Sequence, residues 1–444
     1  MAGGPSALVT PAAGAASGYW FTTLPVVEIR DAAGNRTTST ASVTLSVSPG
    51  VTQLGETAKS SVAGRATFGW VGLRGAGGDY TLTYSATGFT SVTQTITLVA
   101  LQAVVAGKGP HTLILKSDGT LWATGYNAYG QLGDGTTTSR SSPVQVMTGV
   151  QAVSAGDVHT MILKTDGTLW ATGWNLYGQL ADSTTTDRLS PVQVMTGVQA
   201  VAAGYAYTLI LKTDGSLWAA GRNVLGQLGD GTTTDRLSPV QVMTEVQAVA
   251  TYGRHTMMLK MDGTLWAAGH NSSGELGDGT TTDRVSPVQV MTGVQAVATG
   301  YSHTFMLKTD GTLWATGDNS SGQLGDGTTT RRTTPFQWMS GVQAVSAGQS
   351  HTMIIKSDGT LWATGGNSSG QLGDGTTTKR LYPVQVPSSP VQVMSGVQAV
   401  SAGGAHTLML KTDRTLWATG GNAYGQLGTG TTTSFITFQQ VHLP

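Results

Sequence analysis

The sequence predicts an all-β chain: a seven-bladed β-propeller preceded by a small antiparallel sandwich. Three observations lead there. A unit typified by residues 149–196 recurs seven times, marked by Leu-Trp pairs at Trp122, Trp170, Trp218, Trp266, Trp314, Trp362 and Trp417. Each unit holds short apolar runs separated by turn chemistry, and no run of 11 residues shows helical periodicity. Residues 19–99 lie outside the repeat and alternate polar with apolar in the strand manner. The tryptophans are spaced by 48 residues five times and then by 55. The long interval comes from a local duplication, in which Pro-Val-Gln-Val at 383–386 returns at 390–393. A fixed period of this size marks a repeat architecture.

Within the second unit the elements follow in order. Residues 150–155 are small and apolar, and residues 159–164 are β-branched and aliphatic. Asp166-Gly167 comes next, the dipeptide favoured where a two-residue hairpin needs positive φ. Residues 168–172 return as the partner strand. Residues 173–186, rich in Gly, Asn, Asp and Thr, read as a loop. Residues 191–195 form a last short strand, whose Pro191 suits a strand start or an outer edge.

Four short strands repeated seven times build either a solenoid or a ring, and the ring is the β-propeller. A solenoid needs polar end caps, which this sequence does not supply. The first unit starts abruptly at Leu101 and the last ends at 438–441, matching the Pro-Val-Gln-Val strand. The two ends therefore read as complementary parts of one unit that closes the circle. The strand carrying Ala152, Ala155 and Gly156 is the expected innermost one, because blades crowd at the axis.

Gly-x-x-His-Thr, then Asp-Gly, then Gly-x-Asn-x-x-Gly-Gln-Leu-Gly resembles the regulator-of-chromosome-condensation repeat. The resemblance covers residues 101–444 and implies a seven-bladed propeller. One departure stands out. Family repeats commonly carry an aromatic just before Gly-x-Asn, where this chain has Thr124, Thr172, Ala220, Ala268, Thr316, Thr364 and Thr419. The tryptophan sits two residues earlier.

In residues 19–99, the runs at 26–30, 41–47, 66–68, 80–84 and 91–99 read as strands, with residues 31–35 as the turn between the first two. Strands at this spacing suggest a small sandwich. The run Val-Glu-Ile-Arg-Asp-Ala-Ala-Gly-Asn resembles the Ig-like modules of large bacterial surface and secreted proteins. The segment before Val26 reads as too short for a full first strand, so an incomplete sandwich is expected. Residues 1–18 read as a flexible segment, and only about one residue separates Val99 from the propeller, so a stiff junction is expected.

The 444 residues carry 24 Lys plus Arg against 24 Asp plus Glu, which removes the electrostatic case for nucleic acid or an anionic membrane. With no cysteine there is no disulfide, thiolate nucleophile or thiolate metal site. No stretch approaches a membrane span. The first residues lack a basic region followed by an apolar core, so they do not read as a signal peptide; the start reads as truncated or as part of a longer protein.

Candidate chemistry is sparse. A histidine recurs at His111, His159, His255, His303, His351 and His406, with Tyr207 in the third unit. Six symmetric copies around a ring point to a structural histidine bonding neighbouring backbone, and no carboxylate and nucleophile accompany any one of them. The Gly-Asp-Gly-Thr-Thr-Thr-Asp stretch at 229–235 and 277–283 lacks the calcium-hand pattern and reads as a hydrogen-bonded turn. No helix follows the recurring glycines, so they are not a phosphate loop. The tryptophans read as blade-packing residues. The plant ultraviolet-B photoreceptor shares the implied fold, but its motif tryptophan is replaced here by Asp157, Tyr205, Gly253, Tyr301, Gln349 and Gly404. The family's chromatin-bound exchange factor relies on a basic tail that this chain lacks. No catalytic residue, cofactor or metal ligand is assigned, and the chain is read as a non-enzyme.

The units differ from one another at few places. These follow Ala-Thr-Gly or Ala-Ala-Gly, lie two residues further on, or precede His-Thr. The Asp-Gly turn joins the two middle strands at one end, so all these places meet at the opposite edge, on one face of the disc. The residues assigned to partner binding are Tyr126, Tyr129, Trp174, Tyr177, Tyr205, Arg222, Leu225, Tyr252, Arg254, His270, Tyr301, Asp318, Gln349 and Tyr424. Aromatic anchors among small polar residues are the composition of binding surfaces. Neutral drift in exposed loops would also vary these places, and the aromatics favour binding over drift. The reading is a monomeric recognition propeller of a bacterial extracellular or cell-surface protein that binds a protein or a glycan, as the propeller β-lactamase inhibitor of similar fold does. The alternative is a structural spacer or adhesin stalk with no specific ligand.

Overall fold

In the computed structural model, which describes residues 4, 6–386 and 396–442, every regular element is a β-strand. Among the described residues no helix is long and apolar enough to cross a membrane. The second Pro-Val-Gln-Val copy, at 390–393, lies outside the described residues. The chain divides into two compact units, Met1–Gln102 with Lys116–Asp118 and Thr412–Thr415, and the remainder.

In the N-terminal unit three antiparallel sheets surround one core. Ser6–Thr10, Val26–Ile29 and Arg65–Thr67 form the first. Val92–Leu98, Gly78–Ala86, Ser42–Val47 and Ala58–Ser60 form the second. Tyr19–Trp20, Val71–Gly75 and Val51–Gly55 form the third. Phe21, Ile29, Leu45, Phe68, Leu73, Leu82, Tyr84 and Leu98 are buried between them. Two expectations are corrected. Residues 6–18 are not a flexible segment: Ser6–Thr10 pairs with Val26–Ile29, Ala12 and Ala15 are buried, and Ser17 donates to Gly75 O at 2.9 Å. This also supplies the strand expected to be missing before Val26. The turn at 31–35 is present, with Asp31 accepting from Ala33 and Asn35, but the strands flanking it enter different sheets.

The second unit contains seven four-stranded antiparallel sheets, each made of four consecutive strands from one repeat. In the second blade these are Val150–Ala155, His159–Lys164, Leu169–Gly173 and Arg188–Met195, in that order across the sheet. The outer strand starts before the expected residue 191, because Arg188 pairs with Gly173 beyond a bulge and Thr172 Oγ1 donates to Arg188 O at 2.6 Å. Pro191 lies on this outermost strand. The connection between the middle strands has three residues, 165–167, rather than two. Lys164 N bonds Thr168 O, Gly167 alone takes positive φ at 77°, and Asp166 accepts from the Thr168 amide and hydroxyl. This is a type I turn followed by a left-handed glycine.

The Ala-rich strands line the axis, where adjacent ones come close enough for Ala203 N to donate to Ser154 Oγ at 3.0 Å. Between blades, His159 Nε2 meets Thr208 Oγ1 at 3.1 Å, and Thr160 Oγ1 donates back to Gln131 O at 2.7 Å. The recurring histidine is structural, as expected, but its partner is a threonine of the next blade rather than backbone. In the third blade Tyr207 takes over, its hydroxyl donating to His255 O at 2.7 Å and accepting from Thr256 Oγ1 at 3.0 Å. The threonine standing where the family has an aromatic also reaches between blades: the Thr172 hydroxyl hydrogen is shared between Arg188 O and Gly130 O, the latter in the preceding blade at 2.9 Å. Trp170, Trp218, Trp266, Trp314, Trp362 and Trp417 each pack on the preceding blade's core, as Trp170 does against the cluster holding Leu113, Leu121 and Leu132. These contacts recur where the seventh blade meets the first, with Thr112 Oγ1 donating to Gln426 O at 2.7 Å and Thr124 Oγ1 to Gly425 O at 2.9 Å. The ring is closed. It closes by abutment of two whole blades, so the expectation that the ends complete one shared unit is corrected.

Candidate interaction face

The variable residues are held by invariant ones. In every blade the second strand begins opposite the end of the third, as His159 pairs with Gly173. The residue after that glycine donates its amide to the residue before the histidine: Tyr126 to Pro110, Trp174 to Val158, Arg222 to Ala206, His270 to Arg254 and Asp318 to Ser302, at 2.7–3.0 Å. Gly173 is required there, since its φ is 107° and a Cβ would come 2.6 Å from Val158 O. Just beyond, the Asn of Gly-x-Asn organises the loop. Asn175 Oδ1 accepts from Leu180 N at 3.0 Å, and its Nδ2 donates to Asp182, Thr184 and Thr186. Asp182 also accepts from Arg188 Nε at 2.8 Å, so the Gly-Asp-Gly-type stretch is the expected hydrogen-bonded turn. Gln179 Oε1 accepts from Tyr177 N at 3.0 Å. In this blade the side chains at the x positions take no part in the lattice and are free to differ.

The structure brings most of the predicted residues together in two tiers. The outer tier is an arc across four blades. Tyr424 and Tyr126 are 4.8 Å apart between ring centroids, Tyr126 and Tyr129 6.4 Å, Tyr129 and Trp174 5.9 Å, and Trp174 and Tyr177 5.4 Å. Arg222 closes the arc, its guanidinium carbon 4.9 Å from the Tyr177 centroid. Edge-to-face and cation–π contacts of this kind hold each ring in place. Tyr129 and Tyr424 are exposed, and the others half-buried.

The inner tier surrounds the axis. Tyr205 and Tyr301, from the third and fifth blades, lie 6.4 Å apart, and Arg254 covers the Tyr205 ring at 5.4 Å. Lys108 crosses from the first blade, where its Nζ donates to Ala203 O and Thr251 O, so it plugs the channel mouth. Burial lowers the Lys108 pKa to about 7, while Asp157 opposes the shift; burial raises Asp157 to about 6, with Lys108 opposing. In the sequence both stand out only as variable positions and neither has an assigned role, because nothing in the repeat shows that a lysine from one blade reaches two others across the ring.

Five predicted residues stand apart from these tiers. Tyr252 is a correction: it is 5% exposed, with its hydroxyl donating to Lys108 O at 3.3 Å and its ring under the ammonium, so it is part of the plug. His270 is turned to Glu275, and Asp318 is held by Gln323 Nε2 at 2.7 Å and Ser320 Oγ at 2.9 Å. Gln349 is exposed on the sixth blade, whose neighbouring x positions are Ser and Gly. Leu225 is half-buried beside exposed Val224.

The model of the regulator of chromosome condensation (RCC1) repeat matches residues 118–163, 166–211, 214–259, 262–307, 310–355 and 358–410. A second model of the same repeat matches six segments from 103–131 to 397–426. Among solved structures, human WBSCR16 is 21% identical, with a TM-score of 0.65 over 73% of this chain and 94% of that one. Prp20p from Saccharomyces cerevisiae, described with its binding properties to Gsp1p and histones, is 18% identical with a TM-score of 0.64, covering 77% of this chain and 90% of its own. At these identities the structures speak for the fold, whereas the repeat models match more than half of the chain. The chain belongs to the RCC1 repeat family.

Proposed function

We propose that this protein is a non-enzymatic recognition module that binds a protein partner through the variable face of its propeller. The observation that supports this best is the unbroken arc from Tyr424 to Arg222. Its rings belong to several blades, yet each touches the next. Drift at independent exposed positions has no reason to produce a continuous aromatic band, and pre-ordered aromatic and arginine side chains are the residues that dominate binding energy at protein interfaces. That yeast Prp20p is described as binding Gsp1p and histones agrees with a propeller used for protein contact. We place the protein outside the cell or on a bacterial surface, with the N-terminal unit as an Ig-like module, on the strength of the sequence resemblance alone. A glycan is the second ligand class for the same rings, which could stack on sugar faces.

The test is capture from native surroundings by the full chain against a variant carrying Trp174→Ser, Tyr177→Ser and Arg222→Ser. A recognition module loses its partner in the variant while its melting temperature stays within a few degrees. A partner retained equally by both proteins, or none captured by either, sinks the reading and leaves a spacer.

A further inference from the structure

The propeller's scaffold arginines are neutralised. Arg140, Arg188, Arg236, Arg284, Arg332 and Arg380 each pair with an aspartate of the same blade at 2.6–2.7 Å. Arg331 donates to Ser272 O at 2.9 Å. Arg222 and Arg254 are different. Among the described residues neither makes an ion pair, and the Nε of each is buried with no hydrogen-bond partner. Each guanidinium instead lies on a tyrosine, Tyr177 or Tyr205. They come from adjacent blades, and the Tyr205 hydroxyl feels both charges. The acids of the face are already engaged: Asp318 is bound by Ser320 and Gln323, and Asp157 is set against Lys108.

We propose that Arg222 and Arg254 form an anchor for carboxylates of a protein partner, taking aspartate or glutamate side chains of one segment while its flanking aromatic or apolar residues pack on the arc. The inference rests on the recognition reading above and names the chemistry of the partner. A guanidinium lying on an aromatic face is pre-organised and weakly hydrated, and its fork of N–H groups matches a carboxylate in two parallel hydrogen bonds. Leaving two such groups without an internal acid keeps their charge for an incoming one. A phosphate, with its higher charge, calls for more donors at one point. Lys108, the other cation of the inner tier, is tied to two carbonyls.

Fluorescence anisotropy on the full chain tests this with three labelled peptides of equal length, alternating Tyr with Glu, with Gln or with phosphoserine. At low salt the Glu peptide is expected to bind at least tenfold more tightly than the Gln peptide. That advantage should vanish at high salt and in Arg222→Gln/Arg254→Gln, and survive in the charge control Arg331→Gln. No preference for Glu over Gln, or a preference unchanged in the double variant, overturns the anchor. A stronger preference for phosphoserine than for Glu overturns the commitment to carboxylates. If the Gln peptide binds equally well and needs Trp174 and Tyr177, the anchor fails while the recognition reading stands.

Discussion

Glu275 Oε1 lies 2.5 Å from His270 Nδ1 in the fourth blade, at a position where the other six blades carry glutamine. Glu275 is fully buried, and its other oxygen accepts from Ser273 N at 2.8 Å, as glutamine does elsewhere. The exchange of Gln for Glu and the histidine five residues earlier occur together, so the two substitutions form one local device. The bond to Glu275 raises the His270 pKa above its usual value, against the opposing effect of burial.

A raised histidine pKa contributes stability that is full below the unfolded value of about 6.5 and is lost as pH rises through the folded value. Glu275→Gln should therefore cost about 1–2 kcal/mol near pH 6, and the cost should shrink as pH rises through the folded value of His270. Melting temperatures of both proteins from pH 6 upward check the convergence; a constant gap would refute it.

The six inter-blade histidines behave oppositely. Burial lowers His111, His159, His255 and His351 to about 3, and His303 and His406 to about 4. Below about pH 6.5 the unfolded chain takes up protons that the native ring refuses, and each such group removes up to about 1.4 kcal/mol per pH unit. Stability should fall steeply from pH 6.5 towards 4. Calorimetry in two buffers at pH 5 should show proton uptake on unfolding of about six from these histidines alone.

Tyr207 does not titrate in that range. Tyr207→Phe removes the hydroxyl that joins His255 O and Thr256 Oγ1 in a fully buried place, at a cost of about 1–3 kcal/mol. Tyr207→His should be milder at pH 8, because the other six blades make the same junction with histidine, and should add one more proton to the acid uptake. Urea midpoints at pH 8 and pH 5.5 distinguish the two variants.

Gly173→Ala sets a methyl group 2.6 Å from Val158 O in a left-handed backbone. A loss of at least about 1–3 kcal/mol is expected, together with weaker partner capture, because Trp174 hangs from that same bond. Gly167→Ala, where the added methyl group meets only Val198 O at 4.0 Å, should cost less and leave capture unchanged.

The propeller is readable in the sequence because each repeat states its strands in the same words seven times. Internal comparison then separates held residues such as Asn175 from free ones such as Trp174. The differences between expectation and structure have physical sources. The N-terminal strands carry no repeat, so Ser6–Thr10, with its Ser, Ala and Thr, reads as a tail until Val26–Ile29 pairs with it. Tyr252 resembles its neighbours in the alignment of repeats, but only the folded ring brings Lys108 over it. Periodicity reveals what each blade has in common; side chains that cross the axis belong to no single repeat.

Because no blade is shared between the chain's two ends, no strand pairing among the described residues clasps the circle at its joint. The bond of Thr112 to the seventh blade has a counterpart at each of the other six junctions, and that of Thr124 at four of them, since the third and fourth blades carry Ala220 and Ala268 there; all six are also tethered by the chain that runs from one blade to the next. That joint is where the ring should breathe first, with amide exchange spreading from the first and seventh blades towards the fourth. The aromatic arc straddles it, since Tyr424 and Tyr126 sit on opposite sides. A bound partner would therefore act as a rivet across the molecule's weakest seam, and occupancy should slow exchange there more than anywhere else.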